Sequence, residues 1–372
     1  MDFSLTEEQT AIQASFRAFA EREIRPIAAD LDKNPRFPTE IFRSIGALGF
    51  YRMRYPEPDG LGLDMISYVL AVEEIARHSL AVAAVCSMQS LMGTSFVQRH
   101  AKGDVRERIL GPALRGELVG TICMTEPDAG SDLLSMSTRA VQDGERWLIS
   151  GRKTWITSAP AADFFTVFAR TSKDSLSTFL VERGAAGLDV GRAIDKMGVK
   201  ASITSEVSFD NTPATCILGE VGSGIKSLRP LLSDIRVMTA ALALGVGRGA
   251  FEDAAAYARE RRQFGKAIGD FQAIQLHLAE MCTDLEAARR LTQWAAWRSD
   301  CGLDNADQAA MAKLFASEAA QRVCDHASRV MASYGYSSDY AVERYLRDAR
   351  FTLIGGGTSE ILKINIAKGL AK

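Results

Sequence analysis

The clearest hydrophobic pattern lies in the last third of the chain. There Phe271, Ile274, Leu278, Met281, Leu285 and Ala288 recur at spacings of three and four for about two and a half heptads. A repeat of that kind predicts the seam of a helix bundle. A second helix is expected over roughly 306–332, with Met311, Leu314, Phe315, Val323, Val330 and Met331 on one broad face and many alanines that let helices approach closely. From Leu5 to about Leu118 the chain is rich in Ala, Leu, Glu and Arg, broken at Pro26, Pro38 and the 56–62 turn cluster, which predicts an α-helical domain. Between about Val119 and Glu220 the texture changes. Thr, Val, Phe and Trp rise, and short runs such as 146–149, 153–156, 164–169, 179–181 and 205–209 read as strands of a small β barrel or sandwich. The expected organisation is therefore mainly α with a central β domain: an N-terminal helical domain over 1–118, a β domain over 119–223 and a C-terminal four-helix bundle over 224–372. With no repeat and no low-complexity linker, the three should pack on one another.

Composition narrows the function classes. The 372 residues carry 44 basic and 46 acidic side chains, a formal charge of -2, which gives no general electrostatic grip on nucleic acid or anionic lipid. The longest apolar runs, near 80–88 and 237–246, are about half of a bilayer-spanning length, so no membrane partner is expected. The opening MDFSLTEEQT has neither a basic nor an apolar segment of secretory type, which makes the cytoplasm the expected compartment. Six cysteines without a CxxC read as reduced core thiols.

Several chemistries fall away. Four histidines (His78, His100, His277, His326) are too far apart in sequence to form a ligand motif, and no metal site is expected. The SxxK at Ser223 lacks the companions of a Ser/Lys hydrolase. The GxGxG at Gly245, Gly247 and Gly249 follows an Ala/Leu helix rather than a strand, so close helix packing explains it better than a dinucleotide fingerprint.

Three constellations remain. TEPDAGSD (125–132) is a hydroxyl-rich turn after an apolar strand, able to offer amides and hydroxyls to a ligand edge or to serve as a plain connector. KTWIT (153–157) puts Trp155 and Thr157 on one strand face, where a planar ring system would fit. RERRQFG (259–265) ends a long helix with cations that balance its dipole or, in the functional reading, grip a diphosphate.

Together these segments resemble the acyl-CoA dehydrogenase flavoprotein family along essentially the whole chain. The resemblance is carried by CMTEPDAGSD (123–132), GRKTWITSA (151–159), YARERRQFGKAIGDFQ (257–272), RDAR (347–350) and GGGTSEI (355–361). It implies one FAD per subunit in a homotetramer or homodimer. Thr125 and Ser131 would hold the flavin surroundings, Trp155 would pack on the isoalloxazine and Thr157 would hydrogen-bond near its reactive nitrogen. Arg261, Gln263, Phe264 and Gln272 would contact FAD from a neighbouring subunit, with Thr358 and Glu360 approaching the cofactor. The implied substrate is an acyl-CoA or an acyl group on a carrier protein, and the electron acceptor an electron-transfer flavoprotein or oxygen.

The family's base is a glutamate at one of two places, which here hold Gly356 and Ile235. Asp234 is the nearest carboxylate, although adjacent helical residues point about 100° apart. Glu360 and Glu126 are further candidates. The leading expectation is α,β-dehydrogenation of an acyl thioester with a relocated base. The alternatives are a flavin oxidase or monooxygenase of the same fold and a flavin-binding partner that has lost catalysis.

Overall fold

The computed structural model describes residues 4–370. Seven helices come first: α1 (Glu7–Phe19), α2 (Ala28–Lys33), α3 (Thr39–Ala47), α4 (Met65–Ala76), α5 (Leu80–Ser87), α6 (Ser95–His100) and α7 (Gly103–Leu114). Local chemistry starts them where polar residues precede apolar ones. Thr6 and Gln9 form a reciprocal cap on α1, and Asp64 accepts from the Ser67 amide at 2.6 Å to begin α4.

Eight strands follow: β1 (Gly120–Cys123), β2 (Arg139–Asp143), β3 (Arg146–Thr157), β4 (Phe164–Ser172), β5 (Ser175–Glu182), β6 (Leu188–Ala193), β7 (Thr204–Pro213) and β8 (Cys216–Ile217). They make one open, barrel-like sheet in the order β6-β7-β3-β2-β4-β5-β8, with β1 parallel to β4. The two runs around Ser150 and Gly151 are a single strand, β3. It stays paired with β7 through a register shift at Gly151, where φ is +152° and a Cβ would lie 2.4 Å from Thr138 Oγ1.

Helices return with α8 (Gly224–Glu260). After it comes a short hairpin, β9 (Arg262–Gln263) and β10 (Lys266–Ala267), then α9 (Gln272–Asp300), α10 (Ala306–Met331), α11 (Ala341–Thr352) and α12 (Ser359–Leu370). The seam on α9 is as expected, with Met281, Leu285 and Ala288 fully buried. On α10 the expected face is borne out toward its C-terminal end, where Val323, Val330 and Met331 are buried, and differs toward its start. Ala312, Ala316, Ala319, Ala320 and Lys313 are buried, while Met311, Leu314 and Phe315 are only partly so, because close approach to α8 selects small side chains. The glycines of α8 obey the same constraint: a Cβ at Gly245 would sit 2.5 Å from Ala76 Cβ, and one at Gly249 only 2.3 Å from the Arg77 carbonyl.

One continuous apolar core runs from Phe16 to Ala349, so the three segments pack together. Two helical stretches, Leu80–His100 and Gly224–Glu260, are long and apolar enough to cross a bilayer, which corrects the run-length expectation. Their apolar windows are 94% and 72% buried against the rest of the chain, as core helices are. Cys86, Cys123 and Cys324 are buried, but Cys282 and Cys301 are exposed, so not all six are core residues.

Candidate active site

On the β domain, β1 runs into the turn that carries Thr125, whose carbonyl accepts from the Thr154 amide at 2.9 Å. Thr121 Oγ1 donates to the Thr157 carbonyl at 2.6 Å, so Thr125, Trp155 and Thr157 are brought to one place. Ser131 lies farther along the same loop and is exposed. Trp155 sits in the second irregularity of β3, between Lys153 and Ile156, at φ +58°, with 57% of its surface exposed. A bulky residue in the left-handed region is a backbone outlier, and here it turns an indole outward on the strand that carries Thr157.

Beneath that surface lies an ion pair that the sequence did not announce. Lys153 Nζ, fully buried, donates to Glu126 Oε1 at 2.9 Å and to the Met124 carbonyl at 3.1 Å. Glu126 also accepts from the Ser137 and Thr138 amides at 2.6 and 2.9 Å. Burial alone would raise the Glu126 carboxyl, but the bonds from Thr138, Lys153 and Ser137 hold it down at about 2. Glu126 is therefore a fixed structural anion that braces the turn, and its candidacy as a base fails on this ground.

The opposite wall comes from the bundle. A Cβ at Gly356 would lie 3.7 Å from Ile235 Cγ2, so the two places that hold a glutamate in the family face one another and neither carries a carboxylate. Gly356 and Gly357 have φ of +72° and +107°, and a Cβ at Gly356 would come within 2.8 Å of Thr239 Oγ1. That hydroxyl is itself held by a 2.8 Å bond to the Ile235 carbonyl. From below, buried Lys313 donates to the Gly357 carbonyl at 2.6 Å. Burial, with Arg236 beside it, pushes its ammonium down to about 8. Arg236 is desolvated as well, and its Nε has no hydrogen-bond partner.

Asp234 leaves α8 toward the far end of α9, where Ser299 Oγ donates to it at 3.4 Å. Burial pushes its carboxyl above the usual range, against the pull of Arg54 and Arg99. Arg54 is itself bound to Asp300 at 3.0 Å. Thr358 accepts from the Ile361 amide at 3.4 Å at the start of α12, and exposed Glu360 lies in that helix's first turn. Backbone and Thr358 hydrogen bonds lower the Glu360 carboxyl, the reverse of what a proton acceptor at neutral pH needs.

A third group gathers at the far end of α8. Arg261, Gln263 and Phe264 line a groove of about 430 Å³ with Phe271, Arg329 and Tyr334. Phe264, at the hairpin tip, is 93% exposed, and the Arg261 guanidinium lies 5.7 Å from the Tyr334 ring. Gln272 opens α9 next to Phe271, exposed and outside the groove lining. Arg329 and Tyr334 were missed in the sequence because they come from the last turn of α10 and the short 3-10 turn after it, outside the recognisable motif. Arg261 follows Ile235 by 26 residues of nearly continuous helix, roughly 39 Å at 1.5 Å per residue, so one chain cannot bring both to the same flavin ring.

These features define a flavoprotein oxidoreductase architecture, and family matches agree along the chain. The acyl-CoA dehydrogenase N-terminal, middle and C-terminal domain models match residues 6–117, 121–212 and 222–371. The chain belongs to the acyl-CoA dehydrogenase family of FAD-dependent enzymes that act on CH–CH bonds. It is 54% identical to benzylmalonyl-CoA dehydrogenase of Aromatoleum aromaticum, over 99% of both chains. Among solved structures it resembles butyryl-CoA dehydrogenase of Megasphaera elsdenii, at TM-score 0.96, 33% identity and complete coverage of both chains. It also resembles PigA with FAD and proline, at TM-score 0.95, 28% identity and 100% and 99% coverage. The outward indole, the threonines on the neighbouring turn and strand, and a groove-lining guanidinium without a carboxylate partner among the described residues fit FAD: Trp155, Thr125 and Thr157 would meet its ring and Arg261 its diphosphate.

Proposed function

We propose that the protein oxidises an acyl-CoA thioester across its α,β bond, and that this thioester is of malonyl type, with a carboxylate on the α carbon and an aryl group on the β carbon. The observation that carries this reading is the pair of facing positions, Ile235 and Gly356, neither of which carries a carboxylate, with a backbone conformation and a Thr239 contact that disfavour a side chain at Gly356. A malonyl-type substrate needs no base. Breaking the bond to its carboxylate releases CO2 and leaves the electron pair on the α carbon, and that pair forms the double bond as the β hydrogen departs with its own two electrons. Bound FAD supplies the acceptor for that hydrogen and its electron pair. The similarity to benzylmalonyl-CoA dehydrogenase supports both the carboxylate and the aryl group.

The chain's own residues orient and exclude. Trp155 and the hydroxyls of Thr125 and Thr157 place the ring, the apolar Ile235 keeps water from the reacting carbons, and Lys313 fixes the glycine loop. Buried Lys313 and Arg236 give this wall a positive potential that favours an anionic substrate. Because the Arg261 corner is so far from Ile235, the FAD diphosphate is gripped by a second copy of the chain, in a homodimer or homotetramer. Electrons leave to an electron-transfer flavoprotein or to oxygen, in the cytoplasm.

Anaerobic mixing with benzylmalonyl-CoA should bleach the flavin and release one CO2 with a 3-phenylpropenoyl thioester, whereas 3-phenylpropionyl-CoA should leave it yellow. Equal bleaching by both would mean that a base is present. In that event the second reading applies, with Asp234 as a relocated base favoured by its raised proton affinity. Asp234→Asn would then abolish bleaching, and under the decarboxylating reading it should leave the rate unchanged.

A further inference from the structure

Away from the flavin and acyl walls, α9 and α10 bring together two of the histidines that the sequence keeps apart. His277 Nδ1 and His326 Nδ1 lie 2.7 Å apart, and Glu280, one turn along α9 from His277, places Oε2 at 3.4 Å from His326 Nε2. All three offer a ligand atom within 4.8 Å of the others. The next turn of the same two helices is joined in the ordinary way, by a bidentate Arg322–Asp284 pair at 2.8 and 2.9 Å. The histidine pair is not complementary in charge, because two imidazoles share a hydrogen bond only while one of them donates and the other accepts.

We propose that His277, Glu280 and His326 form a binding site for a divalent transition-metal ion of the zinc class that ties α9 to α10. Two imidazoles and one carboxylate suit zinc and other late divalent metals rather than magnesium or calcium. At metal–ligand bonds of about 2.0–2.1 Å, neighbours around a tetrahedral ion are separated by about 3.3 Å, close to the observed Glu280–His326 spacing. Turning the His277 ring about its χ2 exchanges the N–H···N bond for the third metal bond and leaves the fourth position to water. The Glu280 side chain is 62% exposed, which gives the ion an entry path. The same two helices carry Ile274 and Arg329 of the groove, so the ion would brace the corner that meets FAD.

The test uses the FAD-loaded protein, stripped with a chelator and titrated with zinc chloride by calorimetry. One Zn2+ per chain is expected, lost in His326→Ala and weakened roughly tenfold or more in Glu280→Gln. Glu280 is largely exposed, so its substitution removes a ligand without disturbing packing, and retained flavin content checks the fold of both variants. Absence of stoichiometric uptake by the native chain, or affinity unchanged in Glu280→Gln, would overturn the site.

Discussion

The two walls of the candidate active site are held in opposite ways. On the β-domain wall, Glu126 is buried with a full set of partners, namely Lys153 and two amides, and its carboxyl is held at about 2. The bundle wall is held by close approach instead, with Thr239 Oγ1 2.8 Å from where a Gly356 Cβ would lie and Lys313 donating to the Gly357 carbonyl at 2.6 Å. Elsewhere in the bundle, Asp348 of α11 is buried against the Val199 amide at 2.5 Å, and burial pushes its carboxyl to about 6 despite that bond and Arg344. On the bundle wall the two positions that hold a base in the family carry Gly356 and Ile235. The wall that presents the cofactor's surface is thus locked by charge at neutral pH. The bundle wall is shaped by glycine and close approach, with no carboxylate at positions 235 and 356. The difference shows that the two walls are held by separate interactions, so the residues at 235 and 356 vary without touching the Glu126–Lys153 pair.

The harshest way to break the contrast is Glu126→Ala, which leaves the Lys153 ammonium buried without its carboxylate. A loss of about 3–5 kcal/mol is expected, read as a fall in the urea midpoint together with loss of bound flavin.

Next is pH. Asp348 has a folded value raised from 3.8 to about 6, so its contribution to stability is complete below about 3.8 and disappears as pH rises through 6, a change of about 3 kcal/mol. Glu126 acts in the other direction: its contribution is present above 4.5 and is lost as pH falls toward 2. Urea midpoints measured from pH 4 to 7 should show a falling Asp348 component, and Asp348→Asn should flatten it.

Smaller in effect, Arg261→Ala should weaken FAD binding by roughly 10- to 100-fold, since it removes charge-assisted bonds of about 1.5–3 kcal/mol. Titration of flavin-free protein with FAD measures this. The same variant should leave the Glu126–Lys153 wall unaltered.

The mildest change restores the side chain that the family carries. Gly356→Glu should cost about 1–3 kcal/mol, because φ is +72° and Thr239 Oγ1 lies 2.8 Å from the new Cβ. It should confer no oxidation of 3-phenylpropionyl-CoA. A variant that oxidised it would show that the two walls can be reunited by one residue.

Local pattern made the helix–sheet–helix order legible, because amphipathic spacing and strand composition are properties of neighbouring residues. The α9 seam at Met281, Leu285 and Ala288 and the packing role of Gly245 and Gly249 followed from spacing alone. The motifs around Thr125, Trp155 and Arg261 were recognisable for the same reason. The runs 146–149 and 153–156 read as two strands flanking Ser150 and Gly151 but are one, because a bulge is set by the partner strand and by the close approach of Thr138. Sequence distance likewise hid the meeting of His277 and His326, since only the packing of α9 on α10 sets which turns face one another.

The sequence by itself determined which segments form helices and strands, the motifs that mark the family, and the lack of glutamate at positions 235 and 356. Only the tertiary structure decided that these two positions face one another, that Thr239 closes the space at the glycine, that Lys153 is spent on Glu126, and that Arg261 is too far along α8 to reach its own chain's flavin ring. The physical reason is that a side chain's chemistry depends on its solvent exposure and on the charges beside it. Both are set by contacts between residues far apart along the chain.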